Sequence, residues 1–173
     1  MLISTSFILT FIRPTVKLLI STEFSDSWRY VPFLLLAAVF SSFSSFLGTN
    51  YIAMKETKGA SKTSVIGATL NMILNLILVP IMGLNGAAFA TALSFAVMWI
   101  MRIFDTKKFV IIKIHMKTFI LTLFVIFFQI LILYMDYKYN LIIQLFLSLC
   151  VSLVNLKTLR KLAQNTRKLL IRH

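Results

Sequence analysis

The chain has 173 residues, 59% of them hydrophobic and 13% charged, with a mean hydropathy of +0.90. Soluble domains carry about 25% charged residues, so a soluble fold is excluded, and at about 20 residues per crossing the length has room for six membrane spans. The net charge of +13, from 18 Lys and Arg against 5 acids, would point to nucleic acid on a soluble chain. On a membrane protein the same excess collects in cytoplasmic loops, so no nucleic-acid partner is expected.

In chain order, the first apolar segment, residues 1–20, is charge-free only to Ile12 and then carries Arg13, Pro14 and Lys17. It lacks the leading positive charge and the small-residue cleavage site of a signal peptide, and reads as a helix whose outer half holds two cations. The second span, 31–53, has Pro32 where a helix start tolerates a missing N–H. The third, 63–82, is interrupted by Asn71 and Asn75 and has Pro80 in its last turn. After the tight turn Gly83-Leu84-Asn85-Gly86 the fourth, 84–101, completes a hairpin. The fifth and sixth, 118–134 and 141–156, are short, and Tyr134, Tyr137 and Tyr139 cluster between them as an interfacial belt. The tail, 157–173, alternates Leu156, Leu159, Leu162 and Leu169 with Lys and Arg, the pattern of a basic amphipathic helix on an anionic leaflet. The expected fold class is an all-α membrane protein of six transmembrane helices plus this C-terminal amphipathic helix.

Loop charge orients the bundle. Lys55, Lys58, Lys62, Arg102, Lys107, Lys108, Lys113, Lys117 and the six basic residues of the tail fall on one side, whereas Arg13, Lys17, Arg29 and Lys138 fall on the other. The larger set belongs in the cytoplasm. A multi-pass protein of the cell membrane with a cytoplasmic C-terminus is therefore expected.

Enzyme chemistry has no foothold. The single cysteine, Cys150, lies in an apolar run, and there is no zincin pair, no Gly-rich phosphate loop and no nucleophile elbow. No metal, no cofactor and no catalytic residue is expected. The candidate binding residues are few. Arg13 and Lys17, four apart on one helical face, either snorkel to the headgroups or form a cationic wall for an anionic substrate such as a lipid diphosphate. Asn71 and Asn75, one turn apart, either bond a neighbouring helix or line a polar cavity. Ser41, Ser45 and Thr49 form a small-residue stripe read as a packing seam. Gly83, Gly86, Ala87 and Ala90, with Ala88 and Ala92, have the small-xxx-small spacing that lets helix backbones approach closely. No acid or base lies inside the spans from 31 onward as drawn.

Three phrases carry a family resemblance. They are Ser27-Trp28-Arg29-Tyr30-Val31-Pro32, Lys55-Glu56-Thr57-Lys58, and the hairpin from Asn71 to Thr91 with its order Asn-x-x-x-Asn, Pro, Gly-x-x-Gly-Ala-Ala-x-Ala-Thr. Together they resemble the C-terminal part of Wzx-type polysaccharide flippases of the MOP superfamily, which also holds the MATE drug antiporters and the lipid II flippases. The resemblance covers residues 10–110 and is compositional beyond them. It implies one lobe of a two-lobed transporter that moves undecaprenyl-diphosphate-linked oligosaccharide across the membrane by alternating access. It also implies a missing N-terminal lobe as partner, and Arg13 and Lys17 facing the cavity near the diphosphate. Because such proteins are more than twice this length, a truncated or split product is expected. The alternatives are a MATE-like drug antiporter lobe, whose sign would be an acid within a span, and a purely structural or nonfunctional membrane fragment.

Overall fold

The computed structural model describes residues 1–19, 22–108, 116–135, 139–156 and 160. Apart from Arg160, the expected amphipathic tail lies outside these residues, as do Tyr137, Lys138 and His115. The described residues form six α-helices: α1 Leu2–Leu19, α2 Val31–Ala53, α3 Thr57–Met82, α4 Leu84–Thr106, α5 Met116–Tyr134 and α6 Asn140–Val154, with a 3-10 helix at Thr22–Arg29 before α2. Five of them are long and apolar enough to cross a membrane. At 15 residues α6 reaches only about 22 Å, short of the roughly 30 Å hydrocarbon core.

Two helices run past the expected spans. α3 begins at Thr57 and α4 ends at Thr106, so Lys58, Lys62, Arg102 and Asp105 are helical. Charge ends an apolar span without ending a helix, because Lys and Arg are good helix formers.

The chain divides into two compact units, Met1–Arg13 with Ile114–His173, and Pro14–Lys113. The division falls inside α1 at Pro14, which has no N–H to give the carbonyl one turn back.

In the first unit the opening turns of α1 pack with α5 and α6. Its buried residues include Leu9, Ile126, Ile130, Leu133 and Val151, but polar Thr5, Ser6, Thr10, Thr122, Gln129, Asn140 and Gln144 are buried too. Lipid tails remove the hydrophobic incentive for helices to pair, so polar side chains must supply much of the cohesion. Asn140 closes one end: its Nδ2 donates to the carbonyls of Ile132 and Met135 at 2.8 Å each, satisfying groups left open at the C-terminus of α5.

In the second unit α4 lies between α2 and α3. Gly86, Ala88, Ala90, Ala92 and Ser94 are all buried, so small residues on both sides of α4 admit its neighbours. A Cβ placed on Gly86 would stand 2.3 Å from the Leu78 carbonyl oxygen of α3. Ala90 is fully buried and Ala87 half-buried, in keeping with close packing. Gly83 acts differently from the role expected of it. It is exposed, with open space around its missing side chain, and it joins α3 to α4 alone at φ 56°, ψ −135°, a backbone state that glycine alone adopts cheaply. Trp99 of α4 stacks with Phe40 and Phe43 of α2 at 5.7 and 6.1 Å. The Ser41, Ser45, Thr49 stripe is not the seam. Ser45 and Thr49 are exposed, and α2 turns Ala37, Ser44, Leu47 and Tyr51 inward instead.

Candidate functional site

Arg13 and Lys17 fall in different units and are described within them. In the first unit the Arg13 guanidinium donates to the Leu133 carbonyl of α5. Below it runs a chain of neutral polar groups. Ser6 Oγ donates to Gln129 Oε1 at 2.8 Å, and Gln129 Nε2 returns bonds to the Ser6 carbonyl at 3.0 Å and Thr10 Oγ1 at 3.2 Å. Gln144 Nε2 donates to the Gln129 carbonyl at 2.8 Å, and Thr10 Oγ1 also reaches the Gln144 carbonyl at 3.3 Å. The cluster therefore joins α1, α5 and α6 through amides that hold no charge. Gln144 Oε1 is buried without a hydrogen-bond donor among the described residues.

In the second unit Lys17 is exposed. Asn71 and Asn75, both half-buried, do meet. Asn75 Nδ2 donates to Asn71 Oδ1 and to the Asn71 carbonyl at 2.9 Å, Asn71 Nδ2 donates to Thr91 Oγ1 at 3.3 Å, and Thr91 Oγ1 donates to the Ala87 carbonyl at 2.8 Å. Of the two readings open for this pair, Asn71 displays the bond between helices: its amide ties α3 to α4 through Thr91, and Asn75 bonds back to Asn71 within α3.

The most built-up site is one that charge patterning assigned to a loop. Arg102, only 7% exposed, lies inside the last turns of α4, about 27 Å from the start of the helix. Its Nε donates to Thr63 Oγ1 at 3.0 Å and its terminal nitrogens to Ser64 Oγ at 2.9 Å and the Ser44 carbonyl at 2.8 Å, so one guanidinium grips α2 and α3 together. The planar fork of arginine suits this divergent set, which a lysine ammonium could not reach at once. Gly48 makes the approach possible: a Cβ there would stand 2.9 Å from the guanidinium nitrogen. One turn further, fully buried Tyr51 donates its hydroxyl to Asp105 Oδ2 at 2.8 Å, and Lys108 bonds Asp105 Oδ1 at 2.9 Å. Gly59 clears the Tyr51 ring, its own missing Cβ falling 2.5 Å from a ring carbon. Asp105 lies four residues past the expected span 84–101, in the part of α4 that runs beyond it. It sits in the final turn with both oxygens engaged.

Sequence reasoning passed over Arg102, Tyr51, Asp105, Gln129 and Gln144. The last two could have been flagged, since a Gln inside an apolar span is costly unless bonded. Among the described residues no three His, Cys, Asp or Glu gather as metal ligands.

The chain is 33% identical over 106 residues to a probable low-salt glycan biosynthesis flippase of Haloferax volcanii, covering 61% of this chain and 22% of that protein. It is 31% identical over 138 residues to an uncharacterised membrane protein of Methanocaldococcus jannaschii, covering 77% of this chain and 27% of that one. The chain therefore spans about a quarter of the length of these relatives. No family model matches it, and no solved structure does. It is a multi-pass, all-α membrane protein with a probable flippase among its relatives.

Proposed function

We propose that the chain supplies the C-terminal lobe of a flippase that carries undecaprenyl-diphosphate-linked oligosaccharide repeat units across the cell membrane for surface polysaccharide assembly. The observation that carries this reading is the similarity to a probable glycan biosynthesis flippase. The polar contacts described above bind helix to helix, and in this reading the protein moves its substrate without covalent chemistry. In this reading the basic loops and the C-terminus face the cytoplasm, and an N-terminal lobe supplied by further sequence completes the cavity. Lys17, exposed on α1, is the residue that meets the diphosphate. Arg13, which holds the Leu133 carbonyl, positions α1 against α5. Asn71 and Asn75 keep α3 and α4 in register.

The test is glycolipid translocation in proteoliposomes by the complete two-lobed protein. Lys17→Gln should lower the rate about tenfold, the equivalent of one lost charge-assisted bond, with an unchanged melting temperature. Undiminished transport in that variant would remove Lys17 from the site. Dye efflux without glycolipid movement by the unaltered protein would replace the flippase by the drug antiporter.

A further inference from the structure

The end of the second unit where α2 stops, α3 starts and α4 stops has a chemistry that the flippase reading does not use. The Tyr51 to Asp105 and Arg102 to Thr63 bonds bring these three helix ends together. Around them Lys55, Lys58, Lys62, Lys107 and Lys108 are all exposed. Against these stand two acids, Glu56 and Asp105, and Asp105 is already shared by Tyr51 and Lys108. Beneath them the buried Arg102 adds a further positive charge: its acceptors are two hydroxyls and a carbonyl, and no carboxylate among the described residues lies within salt-bridge distance. The opposite end differs. At the start of α2 it carries the Asp26–Arg29 pair, 3.8 Å apart, and around Gly83 it carries no charge.

A second observation separates a bilayer from a soluble acidic partner. Beside the lysines in the chain stand large exposed apolar side chains, Ile52 at 73%, Met54 at 48% and Phe104 at 65%, and the Lys107 ammonium lies 4.9 Å from the centre of the Phe104 ring. Apolar groups beside ammonium groups match acyl chains beside phosphates, the arrangement in which long basic side chains snorkel.

We infer that this end of the α2–α4 unit is a docking surface for anionic phospholipid headgroups, held in fixed geometry by the Arg102 and Tyr51 contacts. The inference stands whether or not the chain belongs to a flippase.

The experiment places the full chain in nanodiscs of phosphatidylcholine alone or mixed with phosphatidylglycerol, and follows the thermal midpoint. Phosphatidylglycerol should raise the midpoint of the unaltered chain, and added salt should erase the rise. The variant carrying Gln in place of Lys55, Lys58, Lys62 and Lys107 should lose more than half of the rise, while matching the unaltered chain in phosphatidylcholine. The same four positions changed to Arg should keep it. If the four-fold variant fails to insert, Lys58→Gln with Lys62→Gln, two exposed changes on one face of α3, should still lose a measurable share. An equal rise in the Gln variants and the unaltered chain would overturn the proposal. So would no rise at all, or an equal stabilisation by inorganic phosphate in phosphatidylcholine nanodiscs.

Discussion

The unit built from the start of α1, α5 and α6 coheres through neutral amides and hydroxyls, with Ser6, Thr10, Gln129 and Gln144 trading bonds in a buried seam. The α2–α4 unit relies instead on backbone proximity along Gly86, Ala90 and Ser94, and on a charged grip at one end. Charge, not depth, sets the contrast, because Gln129 and Arg102 stand five and four residues from the ends of α5 and α4. A neutral amide in an apolar span needs only hydrogen-bond partners, which Ser6 and Thr10 supply. Arg102 lies at the close of α4, where its solvation is recovered from three fixed acceptors. A guanidinium can be buried near the boundary of a bilayer when the neighbouring helices, not a carboxylate, satisfy it.

Substitutions at three positions break or sharpen this comparison. The largest effect should come from Gly86→Ala, because its new Cβ would collide with the Leu78 carbonyl oxygen, part of a rigid backbone. A loss of about 3 kcal/mol is expected from overpacking, read as a lowered thermal midpoint in detergent, with the α3–α4 hairpin opening first by hydrogen exchange. Arg102→Leu should cost about 2 kcal/mol, since it removes three hydrogen bonds and dissolves the grip on α2 and α3. Arg102→Lys should recover little of that loss, because one ammonium cannot span three helices. If lysine restores full stability, charge alone matters and the geometric account fails. The mildest change should be Gln129→Leu, at about 1 kcal/mol, the range measured for polar contacts between membrane helices. A double-mutant cycle with Ser6→Ala checks it: coupling near zero would mean that the seam in the first unit contributes packing and no hydrogen-bond energy.

Much of this fold was legible in the chain. The apolar run at 31–53 coincides with α2, and the Gly83-Leu84-Asn85-Gly86 turn marks where α3 gives way to α4. Those features are written in composition and in turn chemistry. Arg102 was not legible as a buried residue. A hydropathy boundary stops at the first charge, and whether that charge is solvated or gripped depends on Gly48, Thr63 and Ser64, which lie tens of residues away. The stripe at Ser41, Ser45 and Thr49 shows a related limit. Spacing by fours establishes that residues share a face, but only the neighbouring helices decide which face turns inward. Asn71 and Asn75 fell between these cases: their common direction was evident, whereas their engagement with Thr91 required the hairpin.

The division at Pro14 also bears on the order in which the molecule can be assembled. The α3–α4 pairing is local, with a single residue between the helices, and the whole α2–α4 unit closes within Pro14–Lys113. Ser6 and Gln129 are 123 residues apart. During synthesis the second unit can be complete while the polar face of α1 still waits for partners that the ribosome has not yet made. Until α5 and α6 arrive, Ser6 and Thr10 stand in the membrane without the amides that later satisfy them, and that interval is where a chaperone or the insertion machinery has something to protect.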